Sequence, residues 1–110
     1  MDTNRALAAF DALSQETRLD VLRLLIQAGP GGVAAGEIAG RLDVRQNTMS
    51  MNLKILAQAG LVTAERDGRS IRYAADHKAI QGLVLFLMKD CCGGRTELCQ
   101  PVFDQLTCGC

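Results

Sequence analysis

Tryptophan is absent from this chain of 110 residues, and aromatic side chains make up only 4% of it. A core must therefore be assembled from Leu, Ile, Val, Ala and Met. No apolar run reaches the roughly 20 residues needed to cross a bilayer. The opening Met1-Asp2-Thr3-Asn4-Arg5 lacks the basic start of a signal peptide. A cytoplasmic protein with no membrane association is expected. Histidine occurs once, at His77, which leaves little acid–base chemistry. No Cys-x-x-Cys lies beside a βαβ pattern, and no glycine loop is built to cradle phosphate, so the usual signatures of thiol and nucleotide enzymes are missing. Repeats and low-complexity stretches are lacking too, and the first 90 residues contain no cysteine.

What is present is organised. At this length the chain holds one compact domain and little more. Net charge is zero, yet it is unevenly spread: residues 1–44 carry −2, residues 45–78 carry +3 and the remainder −1. A positive middle block is what an electrostatic footprint on phosphates requires. Hydrophobic spacing predicts helices over Asn4 to Leu13, from a cap at Ser14 to about Ala28, over Ala35 to Leu42, over Gln46 to Ala59 with Gly60 as its stop, and over Asp76 to Lys89. The second of these is expected to place Leu19, Leu22, Leu25 and Ile26 on one inward stripe. Leu61 to Arg66 and Ser70 to Tyr73 read as two short strands joined through Asp67-Gly68, a hairpin signal. Beyond residue 90 the tail holds Gly93-Gly94, Pro101 and all five cysteines, and no long regular element is expected there. The expected class is mainly α with a β-hairpin wing: a winged helix-turn-helix over residues 1–90, followed by a cysteine-rich tail over residues 91–110.

The fourth helix has two unlike sides. Met49, Leu53 and Leu56 fall on a core stripe, while Asn47, Met51, Lys54 and Gln58 lie opposite, with Gln46, Thr48 and Ser50 at its start and flanks. Amides can pair with adenine, methyl and thioether groups can touch thymine methyls, and Lys54 can reach a phosphate. The hairpin carries Arg66, Arg69 and Arg72, suited to backbone or minor groove. The candidate DNA contacts are Gln46, Asn47, Thr48, Ser50, Met51, Lys54, Arg66 and Arg69.

The run Leu13-Ser14-Gln15-Glu16-Thr17-Arg18-Leu19-Asp20-Val21-Leu22-Arg23-Leu24-Leu25 resembles the second helix of the arsenical-resistance repressor (ArsR/SmtB) family. Gln46 to Val62, "QNTMSMNLKILAQAGLV", is similar to that family's recognition helix, and Gly68-Arg69 followed by Tyr73 resembles its wing. The likeness covers about Ala6 to Leu87. It implies a homodimer joined through the first and last helices that represses its own operon on double-stranded operator DNA until an inducer binds. The interface residues so implied, with apolar spacing in support, are Leu7, Phe10, Ile80, Leu83, Val84 and Leu87. Arg45 stands where the family usually has Ser, Asn47 replaces Pro, and Met51-Asn52 replace a His pair, so the operator sequence does not carry over.

Cys91, Cys92, Cys99, Cys108 and Cys110 all follow the last predicted helix of the domain. In a reducing compartment, clustered thiols on a tail read as soft-metal ligands or redox thiols rather than a disulfide framework. The Cys-x-Cys that arsenite-sensing relatives often carry on the third helix is absent from Gly36 to Gly40, and one histidine cannot build the zinc site of other members; His77 reads as a surface residue at a helix start. Cys91, Cys92 and Cys99 instead match a third family pattern, an adjacent pair with a later third cysteine. That pattern implies trivalent arsenic (arsenite) as inducer, with antimonite or a methylated arsenical as further candidates. Cadmium, lead, zinc or thiol oxidation remain alternatives within the family, and a thiol oxidoreductase is the rival from another class. Cys108 and Cys110 can add a fourth thiolate, act as resolving thiols, or play no part.

Overall fold

The computed structural model describes residues 1–89 and 96–106. Helix α1 (Thr3–Leu13) starts where the Asp2 carboxylate accepts from the Arg5 amide at 2.8 Å. Its fully buried residues are all alanines, Ala6, Ala9 and Ala12, with Leu13 half-buried against the core at its end, while Leu7, 60% exposed, and Phe10 face solvent. Helix α2 (Glu16–Ala28) is capped by Gln15, whose side chain accepts from the Arg18 amide, and not by Ser14 as the sequence suggests. The Ser14 hydroxyl is engaged elsewhere, donating to the Asp11 carbonyl at 2.6 Å. The inward stripe of α2 is Val21, Leu22 and Leu25, whereas Leu19 and Ile26, expected inside, are exposed; the helix packs against β3, α4, α1 and α3.

Helices α3 (Ala35–Leu42) and α4 (Gln46–Gln58) form the helix-turn-helix. The turn is made by Asp43, which takes left-handed dihedrals of φ 53°, ψ 49°. It lets Val44 N–H return to the Ala39 carbonyl at 3.0 Å and satisfy an end-of-helix acceptor. Helix α4 lies at the centre, against α1, α2 and α3. Its Met49, Leu53 and Leu56 join Val21, Leu25, Ile38 and Leu61 as side chains with essentially no solvent contact. Truncating any of these leucines to Ala would cost about 2–5 kcal/mol.

A three-stranded antiparallel sheet of order β1-β3-β2 follows, with β1 (Val33–Ala34), β2 (Val62–Asp67) and β3 (Ser70–Ala75). The two-residue β1, not legible in the sequence, pairs Val33 with Tyr73 and Ala34 with Arg72. The base of the hairpin is closed by Asp76 N–H donating to the Leu61 carbonyl at 2.9 Å. Asp76 then caps α5 (His77–Met88) by accepting from the Ala79 amide. Helix α5 packs on α1 and buries Leu83, which is 7% exposed. Leu83, expected at a dimer seam, thus belongs to the protomer's own core, and Ile80 is half-buried against that core. A further helix, α6 (Thr96–Leu106), occupies part of the tail where no regular element was expected. Its Leu98, Val102, Phe103 and Leu106 recur at helical spacing and are exposed, while Cys99 is 5% exposed.

Candidate nucleic-acid interface

The geometry of the interface begins with the division of α4. With Met49, Asn52, Leu53 and Leu56 turned inward, Gln46, Asn47, Thr48, Ser50, Met51, Lys54 and Gln58 are all left on the solvent side. Met51, 67% exposed, is a large thioether offered to water and left uncovered by the described residues. Such a face is costly unless something apolar, such as a thymine methyl, is met there. Arg45 supplies no side-chain cap. Asn47 partly takes that role: its Oδ1 accepts from the Thr48 amide at 2.9 Å, so the amide nitrogen is the end left to donate outward.

The wing projects beside this helix. Asp67 and Ser70 are paired, so the loop residues are Gly68 and Arg69 rather than Asp67 and Gly68. Gly68 sits at φ +63°, the left-handed region that the first position of a type II′ hairpin turn requires and that glycine adopts without a steric cost. The Ser70 hydroxyl closes the turn on the Asp67 carbonyl at 3.0 Å. Arg66 and Arg69 stand exposed near the tip. Arg72, read from sequence as a third wing cation, is not available: its Nε and Nη2 donate to the carbonyls of Gly31 (3.2 Å) and Gly32 (2.8 Å), fastening the loop before β1 to β3. Between wing and α4 runs an open groove of about 430 Å³, with Gln46 and Ser50 on one wall, Arg69, Ser70 and Tyr73 on the other, and Gly36 nearby. The two candidate contact elements are therefore continuous.

Two polar residues that sequence patterning missed support α4 from behind. Asn52 is only 7% exposed on the apolar face of the helix, and its Oδ1 accepts from Arg18 Nη1 at 3.2 Å. Arg18 Nε donates to the Ala12 carbonyl at 2.6 Å. The signal was present in the Thr17-Arg18-Leu19 run, but its partner lies 34 residues away.

Of the candidate interface residues, Leu7, Phe10, Val84 and Leu87 are exposed, together with the unanticipated Leu85. His77 is half-buried rather than superficial, and its Nε2 is enclosed without a hydrogen-bond partner among the described residues. Of the candidate thiolate ligands, Cys91 and Cys92 lie outside the described residues, as do Cys108 and Cys110. Cys99 sits on α6, buried, and is disulfide-bonded. Among the described residues no cluster of three His, Cys, Asp or Glu side chains is arranged to hold a metal ion, and no helix is long and apolar enough to cross a membrane.

Residues 13–65 match a helix-turn-helix domain family model. The chain is 38% identical to the HTH-type transcriptional regulator YbzH of Bacillus subtilis, over 71% of this chain and 90% of that one. It is 32% identical to a protein described as "Probable mercury resistance operon repressor" from Streptomyces lividans, over 69% of this chain and 58% of the other. Among solved structures, an ArsR-like transcriptional regulator from Rhodococcus sp. RHA1 superposes with a TM-score of 0.70 at 28% identity, covering 94% of this chain and 92% of that one. The homodimeric winged helix-turn-helix DNA-binding domain Mb0332 from Mycobacterium bovis superposes with a TM-score of 0.65 at 29% identity, covering 77% of each chain.

Proposed function

Because this chain belongs to the ArsR family of winged helix-turn-helix transcriptional regulators, we propose that it is a dimeric operator-binding repressor, released from DNA when trivalent arsenic or antimony is captured by C-terminal cysteine thiolates. The observation that carries the DNA-binding part is the solvent face of α4, with amide, hydroxyl and thioether groups, continuous through a groove with the exposed wing arginines. Gln46, Asn47, Thr48, Ser50 and Met51 enter the major groove and meet base edges. Lys54, Arg66 and Arg69 neutralise phosphates and set register without reading sequence. Membership in a family of DNA-binding regulators argues against the thiol oxidoreductase alternative.

The exposed apolar residues of α1 and α5 are the proposed seat of the second copy. Left in water, Leu7, Phe10, Val84, Leu85 and Leu87 would form an apolar surface that a monomer rarely tolerates. The homodimeric state of the Mycobacterium bovis neighbour supports the same arrangement. Dimerisation places two copies of α4 about one turn of DNA apart, so both must be aimed together.

For the sensor, Cys91, Cys92 and Cys99 are the proposed ligands. Bound trivalent arsenic supplies three bonds to soft sulfur in a pyramidal geometry, which needs no histidine or carboxylate. Cys99 must be in its thiol form to take part, so its disulfide has to be reduced, with two electrons and two protons taken up by the two sulfurs. The likeness to a protein described as a mercury resistance repressor supports a soft, thiophilic inducer. The disulfide at Cys99 favours a second reading: oxidation is itself the signal, two thiols passing two electrons and two protons to hydrogen peroxide, which leaves as two waters.

One titration tests both. The protein bound to fluorescent promoter DNA is followed by anisotropy, in reductant for arsenite, antimonite, cadmium, lead and zinc, and without reductant for peroxide. Release by arsenite in the wild type, lost in Cys91→Ser, Cys92→Ser and Cys99→Ser with affinity for DNA unchanged, is the expected result. Release by arsenite from a Cys91→Ser/Cys92→Ser double variant places the inducer site elsewhere, and release by peroxide alone selects the redox reading.

A further inference from the structure

We infer that Arg18 is a positioning residue for sequence reading: through Asn52 it fixes the rotation of α4 about its own axis, and hence which bases its outer face meets. The inference rests on the proposal that α4 reads DNA. Apolar packing of Met49, Leu53 and Leu56 holds α4 down but is not directional, since a helix can turn a little among alkyl side chains and keep most of its buried area. A hydrogen bond is directional and weakens steeply when bent. Asn52 is the one buried polar side chain among the described residues, and its Oδ1 is held by Arg18 Nη1 at 3.2 Å. The same guanidinium holds the last turn of α1 through the Ala12 carbonyl at 2.6 Å. Its planar fork therefore sets α4 relative to both α2 and α1, and α1 carries the exposed Leu7 and Phe10.

The outer face amplifies any error. Side-chain tips lie about 5–6 Å from a helix axis, so a turn of about 20° displaces them by about 2 Å. A bidentate contact to a base does not survive that, whereas a phosphate contact from a long Lys or Arg does. Loss of the Arg18–Asn52 link should therefore reduce sequence preference and spare general affinity.

The test uses full-length protein, a duplex selected by the wild type from a random library, and the same duplex with its sequence shuffled. Asn52→Ala and Arg18→Gln are each expected to lower the ratio of the two affinities about tenfold or more, the scale of losing a good bidentate base contact, with affinity for the shuffled duplex unchanged. Asn52→Asp, which keeps an acceptor for Arg18, is expected to keep the ratio within about twofold of wild type, on the scale where discrimination is a difference of affinities. The double variant Arg18→Gln/Asn52→Ala should lose no more than Arg18→Gln alone, as partners in one bond do. Circular dichroism melting confirms that each variant is folded, and should Arg18→Gln not fold, Asn52→Ala, which leaves the bond to Ala12 in place, decides. An unchanged ratio in folded Asn52→Ala, or an equal loss in Asn52→Asp, overturns the inference. A wild type with no preference overturns the DNA-reading proposal itself.

Discussion

At the level of single side chains, the cations of α4 and the wing divide into two kinds by what they touch. Among the described residues Arg66, Arg69 and Lys54 are exposed and make no hydrogen bond or ion pair, while Arg72 is occupied by two carbonyls. Lys54→Ala and Arg69→Ala should weaken binding to every duplex alike, each lowering the slope of log affinity against log salt by about 1. Arg72→Ala should leave that slope unchanged and lower the melting temperature instead, since the charge-assisted bonds it makes are worth about 1.5–3 kcal/mol. The sequence does not distinguish these arginines, because all three flank one turn and the carbonyls that claim Arg72 lie 40 and 41 residues earlier. Gly32 is a sharper case. It holds φ +74°, and a Cβ there would sit 2.7 Å from the Tyr73 carbonyl oxygen, a backbone atom that cannot swing aside. Gly32→Ala should cost about 1–3 kcal/mol in urea unfolding, with loss of the β1–β3 pairing.

At the level of elements, α5 shows what periodicity can and cannot tell. Ile80, Leu83, Val84 and Leu87 follow helical spacing, which predicts a buried face but not which molecule buries it. Leu83 goes into the protomer and Leu87 stays outside. Charged substitutions should therefore part company: Leu83→Glu should lose the fold, whereas Leu87→Glu or Leu7→Glu should give a folded monomer by sedimentation, with DNA affinity lost through the dimer. An unaltered dimer in both outward variants would remove α1 and α5 from the interface. Helices α3 and α4 were legible almost to the residue from apolar spacing and from Gly60 just beyond α4, although neither has a side-chain cap at its start, and Ala35–Leu42 stands without change. The inward face of α1 was not, since its alanines carry little hydrophobic signal beside Leu7 and Phe10. Nor was β1, whose two residues are held by partners on β3 rather than by any local preference, nor α6, where Pro101 argues against a helix by removing one backbone donor.

At the level of the whole molecule, zero net charge conceals a dipolar arrangement, with excess positive charge on residues 45–78, the stretch that spans α4 and the wing. If the proposed dimer makes roughly 6–10 phosphate contacts, affinity should fall by about 10³–10⁵ between 50 and 200 mM salt; anisotropy across that range measures it, and a flat response would contradict the proposed interface. The sheet has a further consequence, for solubility rather than recognition. A row of unpaired strand groups invites other chains to add to it, and the exposed leucines of α1 and α5 would make such growth dangerous. Here β1 offers only two residues as an edge, and the opposite edge, β2, ends in Glu65, Arg66 and Asp67, all in water. A second copy adding to that edge in parallel, in-register pairing would set Glu65, Arg66 and Asp67 each against its own like charge. The wing is thus poorly suited to template fibril growth, and a regulator that must expose its hairpin to the solvent whenever it leaves DNA can do so without seeding its own aggregation.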